Sequence, residues 1–68
     1  MDLSTLVRSH RKYSNLSQAE LAKLAGVGKT VIFDIESGKQ SIKFATLEKI
    51  LSALNIKITF QGPLEGPR

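Results

Sequence analysis

Residues 16–39, LSQAELAKLAGVGKTVIFDIESGK, contain the start and stop signals of two short helices joined by a tight connection. Ser17 and Glu20 form a Ser-x-x-Glu capping box, in which the serine hydroxyl accepts a backbone N–H and the glutamate reaches back to the cap. This pattern predicts a helix that begins near Gln18. Gly26 can adopt a left-handed conformation at little steric cost, so we expect it to end that helix.

A second helical run covers residues 29–37, and Gly38 is expected to stop it in the same way. At 100° per residue, one face of this run is apolar and carries Val31, Ile32 and Ile35. The opposite face is available to a partner and carries Lys29, Thr30, Phe33, Asp34 and Ser37. Two helices joined by a short glycine-containing turn fit the helix-turn-helix geometry, in which the second helix enters the major groove of DNA.

Apolar periodicity extends the helical prediction on both sides of this pair. The first run begins behind Asp2 or Ser4 as N-cap, and its apolar residues are Leu3, Leu6 and Val7. The first helix of the central pair has an apolar side of Leu21, Ala22, Leu24 and Ala25. A last run follows the loop of residues 39–43 and carries Leu47, Ile50, Leu51 and Leu54, with Asn55 as its expected end. The sequence therefore predicts four helices.

Beyond the fourth helix the apolar spacing changes to alternation. Ile56, Ile58 and Phe60 alternate with polar residues, which predicts a β-strand over residues 56–61. A lone strand leaves backbone groups unpaired, so we expect it to pair with its copy in a homodimer and to pack its apolar side chains over the helices.

The expected organisation is one mostly α domain over residues 1–61, with one C-terminal strand that pairs across a dimer. Residues 62–68 follow as a flexible tail, because two Gly and two Pro fall within seven residues.

Length and composition exclude several function classes. Sixty-eight residues leave room for one small domain, which excludes a multidomain enzyme that encloses its substrate. The chain has no Cys and no apolar run as long as a membrane span or a secretory signal, so we expect a soluble cytoplasmic protein without membrane contact or a metal site. Ten Lys plus Arg against six Asp plus Glu give a net charge of +4, which suits a polyanionic partner.

No catalytic group is expected in this chain. It has a single His, and the segment from Gly26 to Thr30 lacks the spacing of a phosphate-binding loop. Asp34 and Glu36 are two positions apart on a helix and point in different directions. We therefore expect no enzyme activity, no cofactor and no small-molecule substrate.

The residues of the central stretch closely resemble the Cro/repressor-type, XRE-like helix-turn-helix family. The resemblance extends from about Leu6 to Leu54 and includes Leu16 to Ala22, Ala25 to Val27, Ile32, and Ile35 to Lys39. It implies that Lys29, Thr30 and Asp34 reach base edges, and that the loop after the second helix of the pair contacts phosphates. Residues expected to contact phosphates are Ser17, Gln18, Lys39, Ser41 and Lys43. Gln18 also matches a residue that in this family often supports the second helix of the pair. Arg11 and Glu36 match a structural ion pair between the first and third helices.

Three of these positions have alternative interpretations. Phe33 lies on the outward arc and could pack on a thymine methyl, but an aromatic at helical spacing is equally consistent with a core residue. Asp34 could accept from cytosine N4 or could orient Lys29 or Thr30 within the helix. Ser17 is a helix cap first, with a phosphate contact as a secondary role.

The family resemblance implies a repressor that binds a palindromic double-stranded DNA operator as a homodimer. A short domain that ends in the segment of residues 54–60 is further similar to Hip-type antitoxins, which are DNA-binding partners of kinase-fold toxins. The expected function is an autoregulating antitoxin of a toxin–antitoxin pair. The alternative is a stand-alone phage-type or housekeeping repressor without a toxin partner.

Overall fold

The computed structural model describes residues 2–39 and 41–57, and the fold of this part of the chain is all α. Its four helices are α1 (Leu3–Tyr13), α2 (Gln18–Ala25), α3 (Lys29–Glu36) and α4 (Phe44–Ala53). Helix α2 packs against α3 and α4, and α1 packs against α3. The prediction of four helices is confirmed.

The predicted strand falls almost wholly outside the described residues. Ile56 and Lys57 follow α4 without regular secondary structure, and residues 58–61, with Ile58 and Phe60, are not described. The domain boundary after residue 61 and the tail of residues 62–68 also lie outside the described part. The strand and its pairing across a dimer therefore stay predictions.

Side chains cap the first two helices at the positions where the sequence has capping residues. Asp2 is the N-cap of α1, since its Oδ1 accepts the backbone N–H of Thr5 at 2.9 Å. Ser4 donates its hydroxyl to the same carboxylate at 2.8 Å and supports the cap. At α2 the capping box is complete, with Glu20 N donating to Ser17 Oγ at 3.0 Å and Ser17 N donating to Glu20 Oε1 at 2.7 Å. The starts of α1 and α2 are thus fixed by local hydrogen bonds.

Each of these four helices ends in the same backbone arrangement, a Schellman motif. One residue with positive φ follows the helix, and these residues are Asn15, Gly26, Gly38 and Asn55. The next residue donates its N–H to the carbonyl five positions earlier, as in the bond from Leu16 N to Arg11 O at 3.1 Å. The same bond joins Val27 to Ala22, Lys39 to Asp34, and Ile56 to Leu51. In this motif an apolar contact commonly joins those two residues.

Two of the four motifs join two apolar residues, Val27 with Ala22 and Ile56 with Leu51. After α1 the apolar Leu16 faces the charged Arg11, and the motif after α3 has no apolar residue in this pair. Leu16, Val27 and Ile56 are partly buried and pack against the core. At the end of α3 the corresponding residue is Lys39, and its Nζ lies 3.7 Å from Asp34 Oδ2. An ion pair replaces the apolar contact at this one helix end, which is the end that borders the predicted DNA surface.

The core lies between the apolar faces of the four helices. Its buried hydrophobic residues are Val7, Leu21, Ala22, Ala25, Ile32, Ile35, Ile50, Leu51 and Leu54. The prediction that Leu24 belongs to the apolar side of α2 is wrong, because this side chain is 64% exposed. The buried residues Leu21, Ala22 and Ala25 of α2 are centred near Ala25, and Leu24 lies roughly 100° away from that centre on the helix. Within the described residues, none of the helices has the length and apolarity to cross a membrane.

Replacement of Gly26 by Ala is expected to lower the free energy of unfolding by about 1–2 kcal/mol, because an L-residue with a Cβ is strained at φ 74. Apart from Gly26 itself and its two chain neighbours, no described residue comes within 4 Å of the position that the Cβ would occupy, so the cost is conformational and not a clash with the packing. Urea unfolding followed by circular dichroism measures it. Gly26→Asn is the matched control and should retain most of the stability, since Asn occupies the same position at residues 15 and 55. An equal loss in both variants would contradict this account.

Candidate nucleic-acid interface

Helix α3 presents one face to the core and the other to solvent. Ile32 and Ile35 are 0% and 2% exposed and hold the inner face. On the outer face Lys29, Thr30 and Phe33 are exposed, and Asp34 is half-buried. Phe33 is 56% exposed, so the interpretation of this aromatic as a core residue is wrong. An exposed helix face of this kind, next to basic residues, has the shape that the major groove admits.

The loop after α3 brings three of the predicted phosphate-contacting residues to one groove. Lys39, Ser41 and Lys43 line this groove together with Asp34 of α3, and its volume is about 160 Å³. The rest of its lining is Val31, Ile35, Ile42 and Thr46. The groove therefore joins the outer face of α3 to the start of α4 and carries two ammonium groups and two hydroxyl groups.

Asp34 is paired with a lysine outside its own helix. Its Oδ2 lies 3.7 Å from Lys39 Nζ, and the two side chains are 36% and 58% exposed. The alternative role of Asp34, to orient Lys29 or Thr30, did not include this contact. The signal for it was the five-residue separation from Asp34 to Lys39 across Gly38, because the Schellman motif places these two residues together.

Ser17 and Gln18 lie at the N-terminus of α2, and each already takes part in a hydrogen bond. Ser17 Oγ accepts from Glu20 N, which leaves its hydroxyl hydrogen available for donation. Gln18 is half-buried, and its Nε2 donates to Glu36 Oε1 at 3.2 Å. This contact agrees with the support of α3 that the family resemblance implies for Gln18. Its partner Glu36 was not predicted from the sequence, since the two residues are 18 positions apart on two different helices.

Arg11 and Glu36 form a bidentate ion pair between α1 and the end of α3. Arg11 Nε donates to Glu36 Oε2 at 2.6 Å and Arg11 Nη2 donates to Glu36 Oε1 at 2.9 Å. Arg11 Nη1 also donates to the carbonyl of Leu16 at 2.8 Å. The two charged side chains are 11% and 5% exposed. One guanidinium thus ties α1, the residue before the α2 cap, and α3 together.

The surroundings of Glu36 favour its charged form. Burial acts to raise the pKa of its carboxyl, but hydrogen bonds from Arg11 and Gln18 and the charges of Arg11 and Arg8 outweigh burial and lower that pKa. The hydrogen bond to Glu36 in turn raises the pKa of Arg11. Asp2 is affected in the same direction as Glu36, because the backbone N–H of Thr5 and then the Ser4 hydroxyl lower its pKa to about 2.

The stability of the domain is expected to fall with acidification. Glu36 and Asp2 have lower pKa values in the folded chain than their ordinary values of 4.5 and 3.8, so the unfolded chain binds protons first. Their contribution is complete above pH ~4.5 and is lost as the pH falls through the folded pKa values. Urea midpoints measured between pH 7 and pH 3 should decrease below pH ~4.5. In Glu36→Gln the decrease should be smaller, and an unchanged slope in that variant would exclude Glu36 as its source.

Comparison with known proteins identifies the family. The helix-turn-helix family profile matches residues 7–61, which include all of α2, α3 and α4. The chain belongs to the helix-turn-helix family. It is 41% identical over 64 residues to an uncharacterized HTH-type transcriptional regulator, y4mF, of Sinorhizobium fredii, and the match covers 94% of this chain and 84% of the relative.

Solved structures of helix-turn-helix proteins have the same fold. The crystal structure of SinR, the master regulator for biofilm formation, in complex with DNA superposes with a TM-score of 0.75 at 30% identity, and the match covers 82% of this chain and 90% of that chain. The structure of a HipA–HipB–O2–O3 complex gives a TM-score of 0.78 at 26% identity and covers 90% of this chain and 86% of that chain. This helix-turn-helix protein is a DNA-binding transcriptional regulator and not an enzyme.

Proposed function

We propose that the protein is a sequence-specific repressor that inserts α3 into the major groove of a palindromic operator. The observation that carries the proposal is the solvent-facing side of α3, held outward by the two buried isoleucines of its inner face. We assign base reading to Lys29, Thr30, Phe33 and Asp34. Lys29 donates to guanine O6 or N7, Thr30 contacts a base edge or a thymine methyl, and Asp34 accepts from cytosine N4. Phe33 packs on a thymine methyl.

Phosphate contacts complete the proposed interface on both sides of the base-reading residues in the chain. Ser17 and Gln18 donate from the start of α2, and Lys39, Ser41 and Lys43 donate from the groove after α3. These contacts carry no sequence information and set the position of the domain on the duplex. Lys39 exchanges its exposed pair with Asp34 for a phosphate at little cost, because solvent-exposed ion pairs contribute only about 0–1 kcal/mol.

A homodimer is the proposed binding unit, since a palindrome presents two half-sites about 34–36 Å apart. The segment after α4 supplies the dimer contact in this proposal. Ile56 is already packed against the core of its own chain, which agrees with a strand that lies over the helices. Ile58 and Phe60 follow on the same predicted face and would pair with the second copy.

An electrophoretic shift tests the operator proposal. The probes are a duplex from the protein's own promoter and a scrambled duplex of equal length, each at several salt concentrations. We expect a shift of the promoter duplex with two chains per site and a log–log salt slope of about −5 to −9, which corresponds to roughly six to ten phosphates neutralised by a dimer. Equal affinity for both duplexes, or a flat salt response, would contradict sequence-specific binding through this surface.

Phe60→Lys is expected to convert the dimer to a monomer, because it places a charge in the apolar face of the predicted strand. Sedimentation velocity measures the change, and the helical circular dichroism should stay as in the unchanged protein. Thr59→Lys is the matched control, because residue 59 alternates to the other face of the strand. If Phe60→Lys remains a dimer, the strand is not the dimer contact.

We further propose that the repressor is the autoregulating antitoxin of a toxin–antitoxin pair, with a kinase-fold toxin as its partner. Two observations support this: the similarity of residues 54–60 to Hip-type antitoxins and the structural match to the HipA–HipB–O2–O3 complex. The match to the SinR–DNA complex fits the alternative, a repressor without a toxin partner, equally well.

The two candidates differ in one binding partner. Co-expression with a neighbouring open reading frame that carries kinase-like motifs, followed by size-exclusion chromatography, should give a stable complex if the chain is an antitoxin. Separate elution of the two proteins, together with an intact operator shift, would select the stand-alone repressor.

A further inference from the structure

The end of α3 and the start of α2 are joined by a hydrogen bond that the ion pair of Arg11 does not require. Glu36 Oε1 accepts from two donors, Arg11 Nη2 at 2.9 Å and Gln18 Nε2 at 3.2 Å. Arg11 and Glu36 would bridge α1 and α3 without Gln18. The extra bond therefore acts on the orientation of the Gln18 side chain.

A carboxylate fixes which way the Gln18 amide points. An ionised Glu36 only accepts hydrogen bonds, so it selects the amide orientation with Nε2 towards it, and the reverse orientation would set two oxygens against each other. The Nε2 group has two hydrogens, and one of them is used by Glu36. The second N–H is left for another acceptor, and a DNA phosphate offers only acceptors. Without Glu36 the amide of the DNA-free protein could adopt either orientation, and only one of them presents an N–H to the phosphate.

A carboxylate close to a phosphate contact would ordinarily weaken DNA binding by charge repulsion. Here Arg11 Nε donates to Glu36 Oε2 at 2.6 Å and Arg11 Nη2 donates to Glu36 Oε1 at 2.9 Å. The positive charge of the guanidinium thus neutralises the negative charge of the carboxylate. Glu36 can therefore hold the amide without presenting an uncompensated negative charge to the duplex. The role of Arg11 at this site is electrostatic as well as architectural.

We propose that Glu36 is a positioning residue for DNA binding, which holds the Gln18 amide so that its second N–H faces a backbone phosphate, while Arg11 neutralises the Glu36 charge. This inference rests on the proposed function, because it gives Gln18 a phosphate contact. It adds that Glu36, the last residue of α3, orients the Gln18 amide for this contact before DNA binds.

A double-mutant cycle on DNA affinity tests the proposal. Gln18→Ala removes the contact, Glu36→Gln leaves one acceptor oxygen for which Arg11 and Gln18 compete, and the third variant carries both changes. We expect Gln18→Ala and Glu36→Gln each to weaken binding of the dimer by about a hundredfold, since each of its two chains loses one hydrogen bond to a charged group, and the double variant to bind about as Gln18→Ala does. Losses that multiply to about ten-thousandfold would overturn the proposal, because Glu36 would then act independently of Gln18.

The probes for this cycle are the promoter duplex and a random-sequence duplex of the same length at low salt. The phosphate contact is independent of sequence, so both duplexes should show the same loss. Lys49→Ala, which removes a charge from the exposed surface of α4, is the control for a nonspecific effect of charge. If the unchanged protein binds neither duplex, the proposed function itself fails. If it binds and the cycle is multiplicative, only this inference fails.

A second measurement needs no variant and does not depend on the stability of Glu36→Gln. The two side-chain amide protons of Gln18 can be followed by nuclear magnetic resonance in the unchanged protein. We expect the two protons to have well-separated chemical shifts without DNA, because Glu36 binds only one of them, and the other to shift when the random-sequence duplex is added. Two Gln18 amide signals that do not respond to the duplex, while backbone signals of α3 respond to it, would overturn the proposal.

Discussion

Arg11→Ala is expected to lower the free energy of unfolding by about 3–5 kcal/mol, because it leaves the buried Glu36 carboxylate without its counter-charge. A domain of this size has a stability of roughly 3–10 kcal/mol, so the variant should be largely unfolded or close to it. The loss of the hydrogen bond to the Leu16 carbonyl adds to the cost, since that carbonyl precedes the α2 cap. Urea unfolding followed by the helical circular dichroism measures the effect.

A double replacement separates the cost of an unpaired charge from the loss of side-chain packing. Arg11→Met combined with Glu36→Leu removes both charges and keeps apolar volume at each position. We expect it to recover much of the stability that Arg11→Ala loses, because apolar replacements of a buried ion pair are often close to neutral. A double variant as unstable as Arg11→Ala would show that geometry, and not the unpaired carboxylate, accounts for the loss.

Lys29→Ala combined with Thr30→Ala is expected to abolish preference for the promoter duplex. Each base contact contributes roughly 1–3 kcal/mol of discrimination, and a dimer loses both contacts twice, so specificity should fall by at least about a thousandfold. Binding to the scrambled duplex should weaken far less, because the proposed phosphate contacts of the loop and of α2 remain. Competition shifts with labelled promoter duplex and unlabelled scrambled duplex give the ratio of the two affinities.

Lys49→Ala provides the control for charge, since it removes one exposed lysine of α4 at some distance in sequence from the proposed surface. The Lys29 and Thr30 positions are exposed, and alanine is a good helix former, so the fold of α3 should be retained. If the double variant keeps the preference of the unchanged protein for the promoter duplex, the base-reading assignment to these residues is wrong.

The parts of the fold that could be predicted are those set by local sequence. The Ser17 to Glu20 capping box and the left-handed glycines after α2 and α3 act within a few residues, so the helix boundaries followed from the sequence. The apolar face of α3 was predictable for the same reason, because Ile32 and Ile35 recur at helical spacing. The match to the family supports the assignment of the helix-turn-helix from these signals.

The parts that could not be predicted depend on how the helices pack. The exposure of Leu24 follows from the angle at which α2 meets α3 and α4, and no local pattern reports that angle. The contact between Gln18 and Glu36 requires the start of α2 and the end of α3 to meet in space. The side on which Phe33 lies was undecided for the same reason, because periodicity alone does not fix the width of the buried stripe.

The four Schellman ends have a consequence for how binding specificity could diverge. Gly28 and Gly38 set the boundaries of α3, and Ile32 and Ile35 attach it to the core. Among the outward-facing positions of α3, these tasks involve Asp34 alone, through its ion pair with Lys39. The other outward-facing residues of α3 can be substituted without a change in the length of the helix or in its packing against the core. A few substitutions at these positions can therefore change which operator the protein binds, while its fold stays the same. Asp34 differs from them, because its ion pair with Lys39 lies in the motif that ends α3. Substitution of Asp34 would therefore alter both base reading and the loop that follows.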